Sequence, residues 1–305
     1  MSSPAAMTGT PPELDAICGH LLRRAHQVHN ALWAEEVGTA PTSTQYALLI
    51  ALRARPGVDQ RTAGELAALD RSSTMDVVAR LARRGWLQRS RDPLDGRRDV
   101  LNLTDPALRA LAGMEEQVAR VQDGLLAPLP QRSRPAFLRR LAAVAHVDRS
   151  VTGDAPQRIP GHLVRRAQQV HTALFAELCT DLGTDAGADG DANAGADGGL
   201  TGPQYAVMLT LGEQGLGQLA VAERAGIDTS TMGDLADRLL RRGWIDARRD
   251  PDDGRRRILT LTAAGRTAVA NANPRVAEVQ RRLLAPVPSA QRARFLASLR
   301  IVARA

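Results

Sequence analysis

Apolar residues recur at helical spacing from the start of the chain. Leu14, Ile17, Leu21, Ala25, Val28 and Leu32 share one face, while Arg23, Arg24 and Gln27 fall opposite. This pattern predicts an amphipathic helix from about Leu14 to Glu36. A second apolar stretch predicts a helix around Gln45 to Arg53 (QYALLIAL), and the related QYAVMLTL predicts another from Gln204 to Leu211. From Val221 the sequence VAERAGIDTSTMGDLADRLLRRGW reads as a short helix, a Gly-Ile-Asp turn and a second helix, the grammar of a helix-turn-helix. Thr229 or Ser230 stands where an N-cap is expected, and Gly243 follows the paired arginines as a C-cap should. Asp70, Arg71, Ser72 and Gly85 supply the same frame earlier in the chain.

Past Trp86 the period changes from helical to alternating: WLQRSR, a turn at DPLDG, then RDVLNLT, which predicts a β-hairpin beside the helix-turn-helix. Thr104 and Thr262 are placed to cap a further helix, with Pro106 allowed in its first turn. Pro128 and Pro130, like Pro286 and Pro288, separate that helix from a last one through Phe137 or Phe295.

These elements occur twice. DPLDGRRDVLNLT (92–104) returns as DPDDGRRRILTLT (250–262), an offset of 158 that also maps Trp86 onto Trp244; upstream, HLLRRAHQVHNALWAE from His20 returns as HLVRRAQQVHTALFAE from His162, an offset of 142. An insertion in the second copy makes the difference. The expected organisation is a first repeat over 13–148, a Pro/Gly/Ser-bearing linker over 149–161, and a second repeat over 162–305. The second repeat contains an acidic insertion, 181–199, expected to be disordered. Within it Asp189, Asp191 and Asn193 imitate the start of a calcium loop, but glycine comes one place late at Gly195 and Leu200 stands where the bidentate Glu belongs. No metal is expected.

Composition adds a sign. The formal charge is +7, and all 40 basic residues are arginine, whose planar guanidinium suits phosphates and base edges. Each half is basic, with 20 Arg against 16 acids and 20 against 17. Cys18 and Cys179 do not match between repeats, no zinc spacing exists, and no run of apolar residues is long enough to span a bilayer, so a soluble cytoplasmic protein is expected. A phosphate loop, nucleophile elbow and paired acid/base spacing are all lacking, which excludes an enzyme and a cofactor.

The helix-turn-helix, the DP-x-D-G-R-R hairpin and the following x-L-T helix entry, in that order and twice over, resemble the MarR family of winged-helix regulators. The resemblance covers nearly all of both repeats. It implies a mainly α fold with small β wings, namely tandem winged helix-turn-helix repeats forming an intramolecular pseudo-dimer, since family members are normally homodimers with interlocked terminal helices. The thirteen-residue linker reaches at most roughly 43–47 Å, enough to join neighbouring ends.

The resemblance places the second helix of each helix-turn-helix in the major groove of duplex DNA. Physical reasoning agrees, because the first two turns of such a helix face base edges and Ser/Thr hydroxyls can bind phosphate. Candidate readers are Arg71, Ser72, Thr74, Met75 and Asp76 in repeat one, with Thr229, Ser230, Thr231, Met232 and Asp234 in repeat two. Arg80, Arg83, Arg84, Arg238, Arg241 and Arg242 suit the DNA backbone, or else a solvated helix end. At the wing tips the resemblance implies that Asp95 and Asp253 orient Arg97 and Arg255 into the minor groove, with Arg98 and Arg256 reaching phosphate; a plain Asp-Gly turn is the alternative. Arg71 opposite Thr229 and Asp99 opposite Arg257 make the two readers unlike, so the expected target is an imperfect inverted repeat.

An effector is also expected, in a pocket the resemblance implies between the dimer helices and the winged helix. His29 one turn before Trp33, and His171 one turn before Phe175, suit a small phenolic or carboxylate ligand, or equally a hydrogen-bonded interface. His20 and His162 share a face with Arg24 and Arg166 and can form an anion site, face solvent or meet the other repeat. Cys18 resembles the reactive cysteine of peroxide-sensing relatives but has no counterpart in repeat two. The expected function is a DNA-binding transcriptional regulator, a repressor released by ligand; the alternative is a sensing or protein-binding module that has lost DNA binding in one or both copies.

Overall fold

The computed structural model describes residues 13–91, 99–147, 159–179, 181–182, 199–212, 215–250 and 257–304. Repeat one supplies α1 (Cys18–Glu36), α2 (Ser43–Ala54), α3 (Gln60–Ala67), α4 (Arg71–Arg83), the hairpin β1 (Leu87–Arg91) and β2 (Asp99–Leu103), then α5 (Asp105–Gly113), α6 (Glu115–Leu126) and α7 (Arg134–Val144). Repeat two supplies α8 (Pro160–Cys179), α9 (Gly202–Leu211), β3 (Leu216–Gly217), α10 (Gln218–Ala225), α11 (Thr229–Arg241), β4 (Ile245–Arg249), β5 (Arg257–Leu261), α12 (Ala263–Leu283) and α13 (Ser289–Ala303).

Several boundaries differ from the sequence expectation for local reasons. The opening apolar stretch begins as a 3-10 turn at Leu14–Ala16, and Ile17 is extended, so α1 starts four residues late. The single helix expected after Thr104 is two helices in repeat one, broken at Met114, whereas α12 runs continuously across Pro274. Both hydroxyls donate to the glycine carbonyl at the preceding helix end, Thr104 to Gly85 O and Thr262 to Gly243 O, each at 2.7 Å, but only Thr262 also caps its helix, accepting from Gly265 N at 2.9 Å. The last two linker positions, Pro160 and Gly161, are already helical in α8. The calcium-like stretch from Asp189 to Gly195 lies outside the described residues.

Two compact units emerge, and each contains pieces of both repeats. One comprises residues up to Leu21 with His171–Leu284; the other comprises Leu22–Val170 with Ala285–Ala305. In the first, the winged helix of repeat two (α9, α10, α11 and the antiparallel sheet ordered β3-β5-β4) surrounds a core of Val207, Met208, Leu235, Leu239 and Trp244, and Ile17 from repeat one is buried among them. The second unit closes the matching core (Leu48, Leu49, Val78, Leu81, Trp86) under the antiparallel β1-β2 hairpin, with Ile159 packed against it. Ile17 and Ile159 are equivalent at the 142 offset. Burying one such side chain contributes about 1.5–3 kcal/mol.

Around each isoleucine the same contacts recur. In the first unit Cys18 N donates to Gln280 Oε1 at 2.7 Å, and a Cβ on Gly19 would lie 2.0 Å from His171 Nε2. In the second, Gly161 N donates to Gln122 Oε1 at 2.9 Å, and a Cβ on Gly161 would lie 2.1 Å from His29 Nε2. The incoming helix start therefore has its orphan N–H satisfied by a glutamine and its backbone laid against an imidazole. The second unit also stacks Phe137 of α7 on Phe295 of α13, with ring centroids 5.8 Å apart. Among the described residues no helix is long and apolar enough to cross a membrane.

A methyl group at Gly161 has no room beside a buried ring. Gly161→Ala is expected to lower stability by about 1–3 kcal/mol through overpacking, whereas Gly113→Ala, in open space, leaves it unchanged or higher; thermal melting of the two variants checks this, and equal midpoints would contradict it.

Candidate functional site

The helices expected to read DNA are built alike. Asp70 caps α4, its carboxylate accepting from Ser73 N at 2.8 Å, Ser73 Oγ at 2.7 Å and Ser72 Oγ at 3.0 Å. Asp228 caps α11, accepting from Thr231 N at 2.9 Å and Ser230 Oγ at 2.6 Å. The cap is thus an aspartate one or two residues before the expected Thr229 or Ser230. These hydrogen bonds hold the Asp228 carboxyl down at about 2. The place at each helix N-terminus that suits a DNA phosphate on sequence grounds is occupied by the chain's own carboxylate, and the Ser72 and Ser230 hydroxyls donate to it.

Most of the expected readers are on the outer face. Arg71, Met75, Asp76, Arg80 and Arg83 are exposed in α4, and Thr229, Thr231, Asp234, Arg238 and Arg241 in α11. Thr74 and Met232 are corrected by the structure: they are 3% and 1% exposed and point inward. Thr74 Oγ1 donates to Asp70 O at 2.7 Å and sits where a Cβ on Gly64 would lie 2.3 Å from it; at the corresponding positions of repeat two, Ala222 and Met232 fill the same core. Arg84 and Arg242 are also placed differently, each lying over a tryptophan, 4.0 Å from the Trp86 centroid and 4.9 Å from that of Trp244, a cation–π contact that joins helix end to wing.

The outer faces are chemically unlike. Met75, 54% exposed, has Gly233 as its counterpart, and exposed Ala79 has exposed Asp237. At the turn-side ends of the hairpin strands, Arg91 pairs with Asp99 at 3.1 Å, whereas Arg249 stands directly across from Arg257. Asp95, Arg97, Arg98, Asp253, Arg255 and Arg256 lie outside the described residues.

A second cluster occupies the interior of the unit that holds repeat one's winged helix. His26 stacks on His29 with centroids 6.4 Å apart, while His29 meets Trp33 at 6.0 Å and Trp33 meets Tyr46 at 5.0 Å with their planes tilted by 44° and 50°. Trp33 Nε1 donates to Pro41 O at 2.8 Å, fixing the indole. In the other unit His171, Phe175 and Tyr205 form a similar run, at 5.8 and 6.3 Å.

Sequence reasoning missed Arg165. The residue is 8% exposed; its guanidinium donates to Ser43 O at 3.4 Å, and among the described residues Nε has no hydrogen-bond partner. Burial pushes it down to about 10, so it stays charged at neutral pH. The available signal was that α8 has no acidic residue before Glu177, so no helical partner exists for this arginine. His20 and His162, for which solvent was one expectation, are both buried. Burial pushes the Cys18 thiol up to about 12, which opposes thiolate chemistry there.

The sequence profile of the MarR family matches residues 41–98 and 198–256, one match per helix-turn-helix and wing. The HosA transcriptional regulator of Escherichia coli is 30% identical over 120 residues, which is 39% of this chain and 88% of HosA. The chain belongs to the MarR family. The transcriptional repressor NicR of Pseudomonas putida is 29% identical over 147 residues, 48% of this chain and 93% of NicR. Nearly a whole relative therefore matches half or less of this MarR-family chain, which is a regulator of transcription rather than an enzyme. A crystal structure of the PcaV regulator from Streptomyces coelicolor with its natural ligand is 43% identical, covering 48% of this chain and 99% of that one, with a TM-score of 0.40.

Burial and the Arg165 charge hold three histidines of this cluster below their ordinary value of 6.5: His26 at about 4, and His29 and His162 at about 3. The unfolded chain takes up protons there that the folded chain refuses. Stability is therefore full above about pH 6.5 and falls as pH drops toward 4, by up to about 1.4 kcal/mol per pH unit per histidine. His26→Gln, which copies Gln168 at the equivalent place, is expected to flatten the fall between pH 7 and 5; a melting midpoint that does not move over that range in the wild-type protein would refute the assignment.

Proposed function

We propose that this MarR-family chain is a ligand-released repressor that carries both DNA readers in one polypeptide and binds an imperfect inverted repeat of duplex DNA. The observation that carries this reading is the pair of capped, outward-facing helices α4 and α11, each framed by exposed arginines and each with a different set of outer residues. Arg71, Met75, Asp76 and their neighbours in α4 face one half-site, while Thr229, Thr231 and Asp234 in α11 face the other. Arg80, Arg83, Arg238 and Arg241 hold the phosphates. Arg97 and Arg255, oriented by Asp95 and Asp253, enter the minor grooves, with Arg98 and Arg256 on phosphate.

The effector in this proposal is a small aromatic carboxylate. Arg165, a buried cation with an unfilled donor, supplies the countercharge, and the His26, His29, Trp33 and Tyr46 rings supply aromatic contact. Neutral imidazoles can accept from a phenolic hydroxyl. His171 and Phe175 line the equivalent place in the other unit, and Arg23, also held down to about 10 by burial, is the counterpart of Arg165 at the 142 offset. Binding releases DNA by favouring a conformation in which the two readers no longer match their grooves.

Two experiments test the proposal. Selection from random duplex DNA is expected to enrich two unequal half-sites, with Arg97→Ala and Arg255→Ala weakening different halves and affinity falling steeply with salt; no enrichment at low or high salt leaves the sensing-module alternative. Calorimetry with benzoate and hydroxybenzoates is expected to show binding that Arg165→Met reduces at least tenfold while melting stays level or rises, since removing a buried unpaired charge is not destabilising. Equal ligand affinity in Arg165→Met would refute the effector assignment.

A further inference from the structure

The second hairpin places two like charges where the first places an ion pair. Arg249 of β4 and Arg257 of β5 are direct cross-strand partners, so their side chains leave the same face of the sheet side by side. Both are exposed, and among the described residues neither is paired with a carboxylate. At the same point of the first hairpin Arg91 is neutralised by Asp99 at 3.1 Å. The exchange of Asp99 for Arg257 changes the local charge by two units. Exposed Arg248 stands where the first hairpin has Ser90, while Asp246 and Ala247 stand where it has Gln88 and Arg89, so the described strands carry +2 in the second hairpin against +1 in the first.

Like charges directly opposite on a strand pair are destabilising, and a bound polyanion would offset this pair. The guanidinium forks are suited to bidentate contact with phosphate oxygens, and two adjacent forks at the turn end of a wing's strand pair match consecutive phosphates of one DNA strand. We infer that Arg249 and Arg257 form a phosphate clamp present only in the second repeat, a salt-sensitive contact that the neutral Arg91–Asp99 pair of the first repeat does not make. The inference rests on the proposed DNA-binding function.

The test uses the full chain and a duplex enriched by selection, with affinity measured across a salt series and melting recorded on the same samples. Arg257→Asp rebuilds the ion pair of repeat one. It is expected to leave melting level or raise it, to weaken DNA binding on the order of tenfold at low salt, and to reduce the slope of log affinity against log salt by about 1–2. Asp99→Arg is expected to do the reverse in repeat one, with tighter binding, a steeper slope and a lower melting midpoint. Unchanged affinity and slope in Arg257→Asp, on DNA that the wild-type chain binds, would overturn the clamp and leave DNA binding intact. Weaker binding with an unchanged slope would also overturn it, because Arg257 then does not engage phosphate. A wild-type chain that binds no duplex at all removes the DNA-binding function and the clamp with it.

Discussion

Each winged-helix core in this protein is closed by a helix start that comes from the other repeat. Ile17 fills the core around Trp244, and Ile159 packs on the core around Trp86. In both units a glycine lets the backbone rest against a histidine ring, and a glutamine from the helix leading out of the wing accepts a backbone N–H of the incoming helix. These contacts are small individually, but they decide how the chain is divided. Neither repeat is a complete unit in itself, and the compact units cut across the repeat boundary within α1 and α8. A relative with a single copy has nothing in its own chain equivalent to the second repeat, whereas here a covalent connection always supplies the missing segment at high effective concentration.

Covalent joining also frees the two copies to diverge. A homodimer changes both of its readers with every substitution, while in this chain a substitution changes one reader alone. Buried positions have diverged in compensating ways: Gly64 with Thr74 in one copy, Ala222 with Met232 in the other. Exposed positions have diverged without compensation, as in Met75 against Gly233, Ala79 against Asp237, and Asp99 against Arg257. Packing limits the first kind of change and leaves the second to whatever the surface binds. The buried cluster around Arg165 follows the same logic, since His26 has Gln168 as its counterpart.

Much of the fold was legible because its signals are local. Helical and alternating periods and the doubled motif survive in the observed elements, and the family follows from the same residues. What sequence reasoning misplaced depended on non-local facts. Thr74 and Met232 sit among groove-facing residues in sequence, yet the inner helix face at 74, 77, 78 and 81 is set by packing against the rest of the winged helix. Asp70 and Asp228 outcompete the neighbouring hydroxyls as caps because a carboxylate accepts several bonds at once. The lack of a helical partner for Arg165 is visible in sequence, but its burial is not, because α8 is covered on more than one side and a single-face periodicity does not show that. Periodicity also starts α1 at Leu14, but Ile17 must leave the helix to enter the core.

The proposed function stands or falls on whether one chain does what two subunits do in a homodimeric regulator. Native mass spectrometry or sedimentation of the complex with a duplex that carries both half-sites decides this through its mass. One 32.7 kDa chain per duplex is expected, at protein concentrations well above and well below saturation. Two chains per duplex, with no one-chain complex at any concentration, would contradict it.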